Sequence, residues 1–160
     1  KWNAKIDRQS LSVRFESPEV LFQTGKANIS DTFKIILNDF FPRYINILGS
    51  KKYRSDIEEI RIEGHTSSEW SSDVPEDVAY FNNMALSQDR TRSVLEYVLL
   101  QSAVENEKPW LKKNLTANGL SSSKPIVNVN SEDKELSRRV EFRVKTNSEK
   151  RIIKIVEESK

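Results

Sequence analysis

The spacing of apolar residues divides the chain into alternating strands and helices. Leu11, Val13 and Phe15, then Val20 and Phe22, keep a period of two on either side of Pro18, which predicts a strand, or a broken pair of strands, over 10–22. A polar turn, Gln23-Thr24-Gly25-Lys26, follows. Ser30 or Asp31 then caps a helix reaching about Leu48, because Phe33, Ile36, Leu37, Phe40, Tyr44, Ile47 and Leu48 recur at spacings of three and four. Pro42 falls inside that stripe, and the pattern resumes beyond it, which predicts a kink. Ile60, Ile62 and Gly64 alternate with Glu59, Arg61 and Glu63, a half-buried strand ending in a Gly-His-Thr turn. Residues 67–82 read as a long polar connection with one helical turn over 73–79. A second helix is predicted over 83–102, lined by Thr91, Val94, Leu95, Val98 and Leu99, with Ser87 near the middle of its stripe. A weaker strand at 115–120 and a short helix at 131–137 precede the clearest strand, where Val140, Phe142 and Val144 alternate with Arg139, Glu141 and Arg143. Alternation sets Glu59, Glu63 and Glu141 on what reads as a solvated strand face. Two helices alternating with strands cover one face of a small sheet, so the fold class is α/β, a two-layer sandwich.

Composition narrows the function. A length of 160 residues suits one domain over 1–160, with a core over about 11–146 and an amphipathic, helix-prone tail at 147–160. The 36% hydrophobic and 31% charged content excludes a disordered or low-complexity chain. Lys and Arg number 26 against 24 Asp and Glu and are interleaved with them, without the basic stripe of a nucleic-acid binder. With no Cys and one His, disulfides, thiol nucleophiles, Cys-rich zinc sites and His pairs are all excluded, and no cofactor or metal is expected. A hydrolase would have His65 as its sole imidazole base and lacks a Gly-x-Ser-x-Gly elbow, so no catalytic residue is assigned. His65 reads instead as a turn residue satisfied by backbone. Trp70, Tyr80 and Phe81 read as a cover for the sheet end. No apolar run approaches the ~18 residues of a membrane helix. A start at Lys1 suggests a segment of a longer protein, whose membrane tether would lie elsewhere.

Five segments stand in a recognisable order: Val20-Leu21-Phe22 with Gly25; Ile60-Arg61-Ile62-Glu63-Gly64-His65-Thr66; Leu86-Ser87-Gln88-Asp89-Arg90-Thr91; Asn118-Gly119 followed by Lys124-Pro125-Ile126; and Ser137-Arg138-Arg139-Val140-Glu141-Phe142. Together they resemble the OmpA-like C-terminal domain of porins, Pal lipoproteins and MotB-type stators, over about residues 11–146. The resemblance implies a βαβαββ mixed sheet with helices on one face. It also implies a periplasmic, cell-envelope location and a pocket for the diaminopimelate-bearing stem peptide of peptidoglycan. In the family an Asp after Gly-His-Thr and the Arg of Leu-Ser-x-x-Arg clamp the zwitterionic ligand. The Arg is Arg90, whose planar fork suits a carboxylate. The acid is replaced by Ser67, with Glu69 or Asp73 able to supply a charge from the neighbouring loop. Thr66, Ser67, Asn83, Leu86 and Ser87 would complete the cradle, Gln23, Thr24 and Gly25 one wall, and Arg138 a second cationic contact. The loop and the Asn83-Met84-Ala85-Leu86-Ser87 sequence look closest to the stator branch, which implies a homodimer. Two functions remain open from sequence: a wall anchor, or an OmpA-like domain that has lost wall binding and serves as an assembly module.

Overall fold

A computed structural model describes residues 2–16, 18–23, 26–71 and 73–148, with the side chains of Pro18 and Glu19 excepted. Thr24, Gly25 and nearly all of the predicted tail lie outside them. The elements run β1 (Ala4–Asp7), β2 (Ser12–Glu16), α1 (Pro18–Leu21), α2 (Asp31–Leu48), β3 (Ile57–His65), α3 (Glu76–Leu99), α4 (Lys108–Asn114), β4 (Leu115–Gly119), β5 (Val127–Asn128), β6 (Ser131–Glu132), α5 (Lys134–Ser137) and β7 (Arg139–Thr146). Five strands form one mixed sheet in the order β1-β2-β7-β3-β4, with β3 and β4 parallel and the other pairs antiparallel. No described helix is long and apolar enough to cross a membrane.

The predicted central elements stand. Ser30 accepts a hydrogen bond from the Phe33 amide at 3.0 Å, capping α2, and α2 runs continuously through Pro42. Phe33, Leu37, Phe40, Phe41 and Ile45 of α2 meet Phe15, Ile60, Ile62, Val140 and Phe142 of the sheet in a single apolar cluster. Phe40 and Phe142 pack edge to face at 5.2 Å.

Two expectations are corrected and one strand is added. The first strand ends at Glu16, and Pro18 opens the short helix α1, because a fixed φ and a missing N–H suit a helix start better than a strand interior. A further edge strand, β1, is added: Trp2, Ala4 and Ile6 alternate with Asn3, Lys5 and Asp7, over a run of only four strand residues. The second helix begins at Glu76, seven residues earlier than the predicted 83, so the last part of the supposed connection, 76–82, is its first two turns and extends the single turn expected over 73–79. Val78, Tyr80 and Phe81 are exposed there, and the buried positions are Ala79, Asn83, Ser87, Thr91, Val94 and Val98. A stripe that is polar for half its length does not register as hydrophobic periodicity.

That polar stripe fits because the sheet beneath it is notched. A Cβ on Gly64 would lie 2.7 Å from Thr91 Cγ2 and 2.9 Å from the Ser87 carbonyl oxygen, and one on Gly119 would lie 2.3 Å from the Gln88 nitrogen. Two glycines side by side on β3 and β4 therefore let α3 approach the sheet with small residues at the contact. This close approach sets the position of Arg90.

Candidate functional site

The helix side of the sheet ends at the C-terminus of β3, where Thr66 follows His65. Arg90 projects from α3 one residue before Thr91, which packs on Gly64. Its Nε donates to the Lys26 carbonyl at 3.0 Å, and its guanidinium lies 4.8 Å over the ring of Phe22. Lys26 is itself tied back: its amide donates to the Gln23 carbonyl (2.9 Å), and the Gln23 amide donates to the Asn28 carbonyl (3.2 Å). One edge and one face of the guanidinium are thereby fixed, and among the described residues its Nη groups have no protein partner. Burial, and then the nearby charge of Arg138, pull Arg90 below the ordinary arginine range, with no carboxylate opposing them.

Thr66 is buried; its amide donates to the Ser121 carbonyl at 2.9 Å, and its Oγ1 has no partner. Arg138 closes the same end from the other strand. Its Nε is buried and likewise unpartnered. Ser67 is buried with its carbonyl held by Asn83 Nδ2 at 3.2 Å, and the same amide reaches the Glu69 carbonyl at 3.3 Å.

The remaining expected cradle residues are placed differently. Because α3 starts at Glu76, residues 83–87 lie inside the helix, where their amides serve the helical ladder and do not form a terminal anion nest. Asn83 pins the 67–69 segment, and Ser87 donates to the Met84 carbonyl (2.9 Å) while accepting from the Ser121 amide (3.1 Å). Leu86 is half-buried and Gln23 is exposed. Of the loop acids, Glu69 pairs with Lys134 at 3.4 Å, and Asp73 sits exposed in the turn before α3. Trp70, Tyr80 and Phe81 are exposed and do not cover the sheet end; Tyr80 and Phe81 pair with each other at 6.0 Å.

The opposite sheet face departs most from expectation. Glu63 and Glu141 are buried at 3% and 0% exposure, so this is not a solvated strand face. Glu141 receives Arg139 Nε at 2.6 Å, Arg14 Nε at 3.1 Å and the Ser12 hydroxyl at 2.9 Å. Arg143 Nε stands 3.2 Å from Glu63, an ion pair without hydrogen-bond alignment. Burial by itself would raise the Glu141 carboxyl, but the Arg139 bond and charge, helped by Ser12, hold it down at about 2. His65 is buried with both ring nitrogens unpartnered, 3.6 Å from Glu63, rather than satisfied by backbone. Burial pushes its imidazole below the ordinary value, against the pull of Glu63. Glu63, His65 and Glu141 bring potential ligand atoms within 4.8 Å of one another. Three arginines already neutralise the two carboxylates, which leaves no surplus negative charge to hold a cation.

Arg90 was legible from its motif. The buried ionic face was not, because alternation identifies a face without revealing what covers it.

The OmpA family model matches residues 21–139. The Zorya protein ZorB of Escherichia coli is 49% identical over 158 residues, covering 98% of this chain, which spans 66% of that protein's length. Among solved structures, the periplasmic domain of Helicobacter pylori MotB superposes with a TM-score of 0.61 at 19% identity, covering 98% of this chain and 90% of that one. The cell wall anchor of the type VI secretion system from Pseudomonas aeruginosa gives 0.57 at 20% identity, covering 90% and 88%. Those two likenesses confirm the mixed sheet with its helices on one face. The matched span carries β3, α3 and the first residue of β7, and with them Thr66, Arg90 and Arg138, and by that match the chain belongs to the OmpA family.

Proposed function

We propose that this domain is a non-catalytic anchor that holds a cell-envelope protein to peptidoglycan by binding carboxylates of the stem peptide. The observation that carries the reading is Arg90: a guanidinium fixed by the Lys26 carbonyl and the Phe22 ring, with its Nη fork unpaired among the described residues. A fork held in this way meets a carboxylate bidentately without losing much side-chain freedom on binding. Thr66 supplies a buried hydroxyl beside it, and Ser67 an uncharged neighbour. MotB-like relatives and the secretion-system wall anchor support a load-bearing role in a periplasmic assembly. A dimeric, membrane-tethered arrangement is part of the same proposal.

The test is co-sedimentation of the purified chain with peptidoglycan sacculi at low salt. The unaltered chain is expected to pellet and Arg90→Ala to stay in the supernatant. An unaltered chain that stays in solution overturns the anchor.

A second reading, an assembly module without wall binding, draws support from the far end of the molecule. There Ile6, Leu11, Ile47 and Tyr53 are exposed around an apolar groove of about 650 Å³. It predicts no sedimentation and no release of soluble muropeptides.

A further inference from the structure

We infer that the Arg90 site is a receptor for paired carboxylates, formed by the guanidiniums of Arg90 and Arg138 with the Thr66 hydroxyl, and that it contributes no group to the ammonium of its ligand. The identity of the natural ligand rests on the wall-binding reading; the charge preference of the site does not.

The geometry places the three groups together. β3 and β7 pair antiparallel with Gly64 opposite Val140 and His65 opposite Arg139, so the register carried one residue further sets Thr66 opposite Arg138. Alternation puts Thr66 and Arg138 on the side of Gly64 and Val140, the side against which α3 packs. Arg90 stands on that helix next to Thr91, whose methyl faces Gly64. Each group keeps polar atoms without a protein partner among the described residues: the Nη atoms of Arg90, the Nε of Arg138 and the Oγ1 of Thr66.

Three nearby acids are used elsewhere. Glu69 pairs with Lys134, Glu132 accepts the Ser68 amide at 3.0 Å, and Asp133 caps α5 through the Leu136 amide at 2.9 Å. Ser67 brings no charge. Partly desolvated charges in native proteins are ordinarily paired, and two neighbouring half-buried guanidiniums without an acid are a complement waiting for anions. A ligand ammonium brought to the same place meets two like charges and gains nothing.

The test titrates the 160-residue chain, followed by NMR, with three small probes. These are pimelate (two carboxylates, no amine), diaminopimelate (the same carbon skeleton with two amines) and cadaverine (amines only). Pimelate is expected to bind at least as tightly as diaminopimelate, shifting the Thr66 amide and the Arg90 side chain, and cadaverine is expected not to bind. Arg138→Gln should weaken pimelate by about tenfold, the worth of one charged hydrogen bond, while Arg138→Lys should retain part of it. Ser67→Asp should reverse the preference toward diaminopimelate. Tighter binding of diaminopimelate than of pimelate, or indifference to Arg138→Gln in a folded protein, overturns the inference. Sacculus sedimentation run alongside separates the two claims. Pelleting with a diaminopimelate preference leaves the anchor and removes the paired-carboxylate receptor. Pimelate binding without pelleting does the reverse.

Discussion

Arg138 and Arg139 are consecutive residues of one type, and the strand turns them to opposite faces with opposite fates. Arg139 is buried in a closed network, its Nε on Glu141 at 2.6 Å and its Nη1 on the Ser137 and Lys124 carbonyls at 3.0 and 3.2 Å. Arg138 keeps a buried Nε with no partner and a second arginine for a neighbour. A guanidinium whose Nε and Nη1 are committed to internal acceptors holds a fold together, whereas one with a buried donor left unpaired is positioned for something outside the chain. Residue type alone does not separate these roles; the face of the strand does.

The contrast is most sharply tested by removing each side chain in turn. Arg139→Ala leaves Glu141 buried with one good partner fewer and should cost about 3–5 kcal/mol in urea unfolding. Arg138→Ala should change stability by less than about 0.5 kcal/mol, or raise it, because it relieves a like-charge contact. Equal losses for the two would erase the distinction. The acid that closes the network gives the next largest effect. Glu141 titrates at about 2 in the fold against an ordinary 4.5, so the folded state binds fewer protons than the unfolded one between those values. Its contribution, on the order of 3 kcal/mol, is therefore complete above about pH 5 and is lost as pH falls toward 2. Glu141→Gln should flatten that part of the stability–pH curve, and Arg90→Ala should leave it unchanged.

Smaller effects probe how the ligand side is held. Gly119→Ala places a Cβ against the Gln88 backbone and should cost about 1–3 kcal/mol by thermal unfolding while weakening sacculus binding, since α3 carries Arg90. Asn83→Ala removes the two bonds that pin the 67–69 segment. It should cost about 1 kcal/mol and reduce pelleting several-fold without abolishing it.

The parts of the molecule legible in the sequence were those with a strong period or a dense motif. α2 showed its stripe and its Ser30 cap, β7 its alternation, and Arg90 its place in Leu-Ser-x-x-Arg. α3 hid its first two turns because Gly64 and Gly119 allow Asn83, Ser87 and Thr91 to serve as core positions, and polar residues there mimic a loop. Glu63 and Glu141 were read as solvated because charge normally signals exposure. Their burial is matched by arginines, Arg143 beside Glu63 and Arg139 and Arg14 on Glu141, the last from a strand 127 positions away in sequence. The displacement of the family acid by Ser67 was plain, but its meaning needed the observation that Glu69 and Glu132 are already committed.

The stacking of Arg90 on Phe22 bears on how an anchor would carry tension. A pull on the guanidinium enters α3 through its own backbone, Lys26 through its carbonyl, and Phe22 through its ring. Phe22 in turn meets Phe33 of α2 at 5.8 Å. Two of these three routes end in helices packed on the core, so force is shared across the sandwich instead of peeling one strand from an edge. A Phe22→Leu domain that binds as tightly at rest should let go at a lower pulling force.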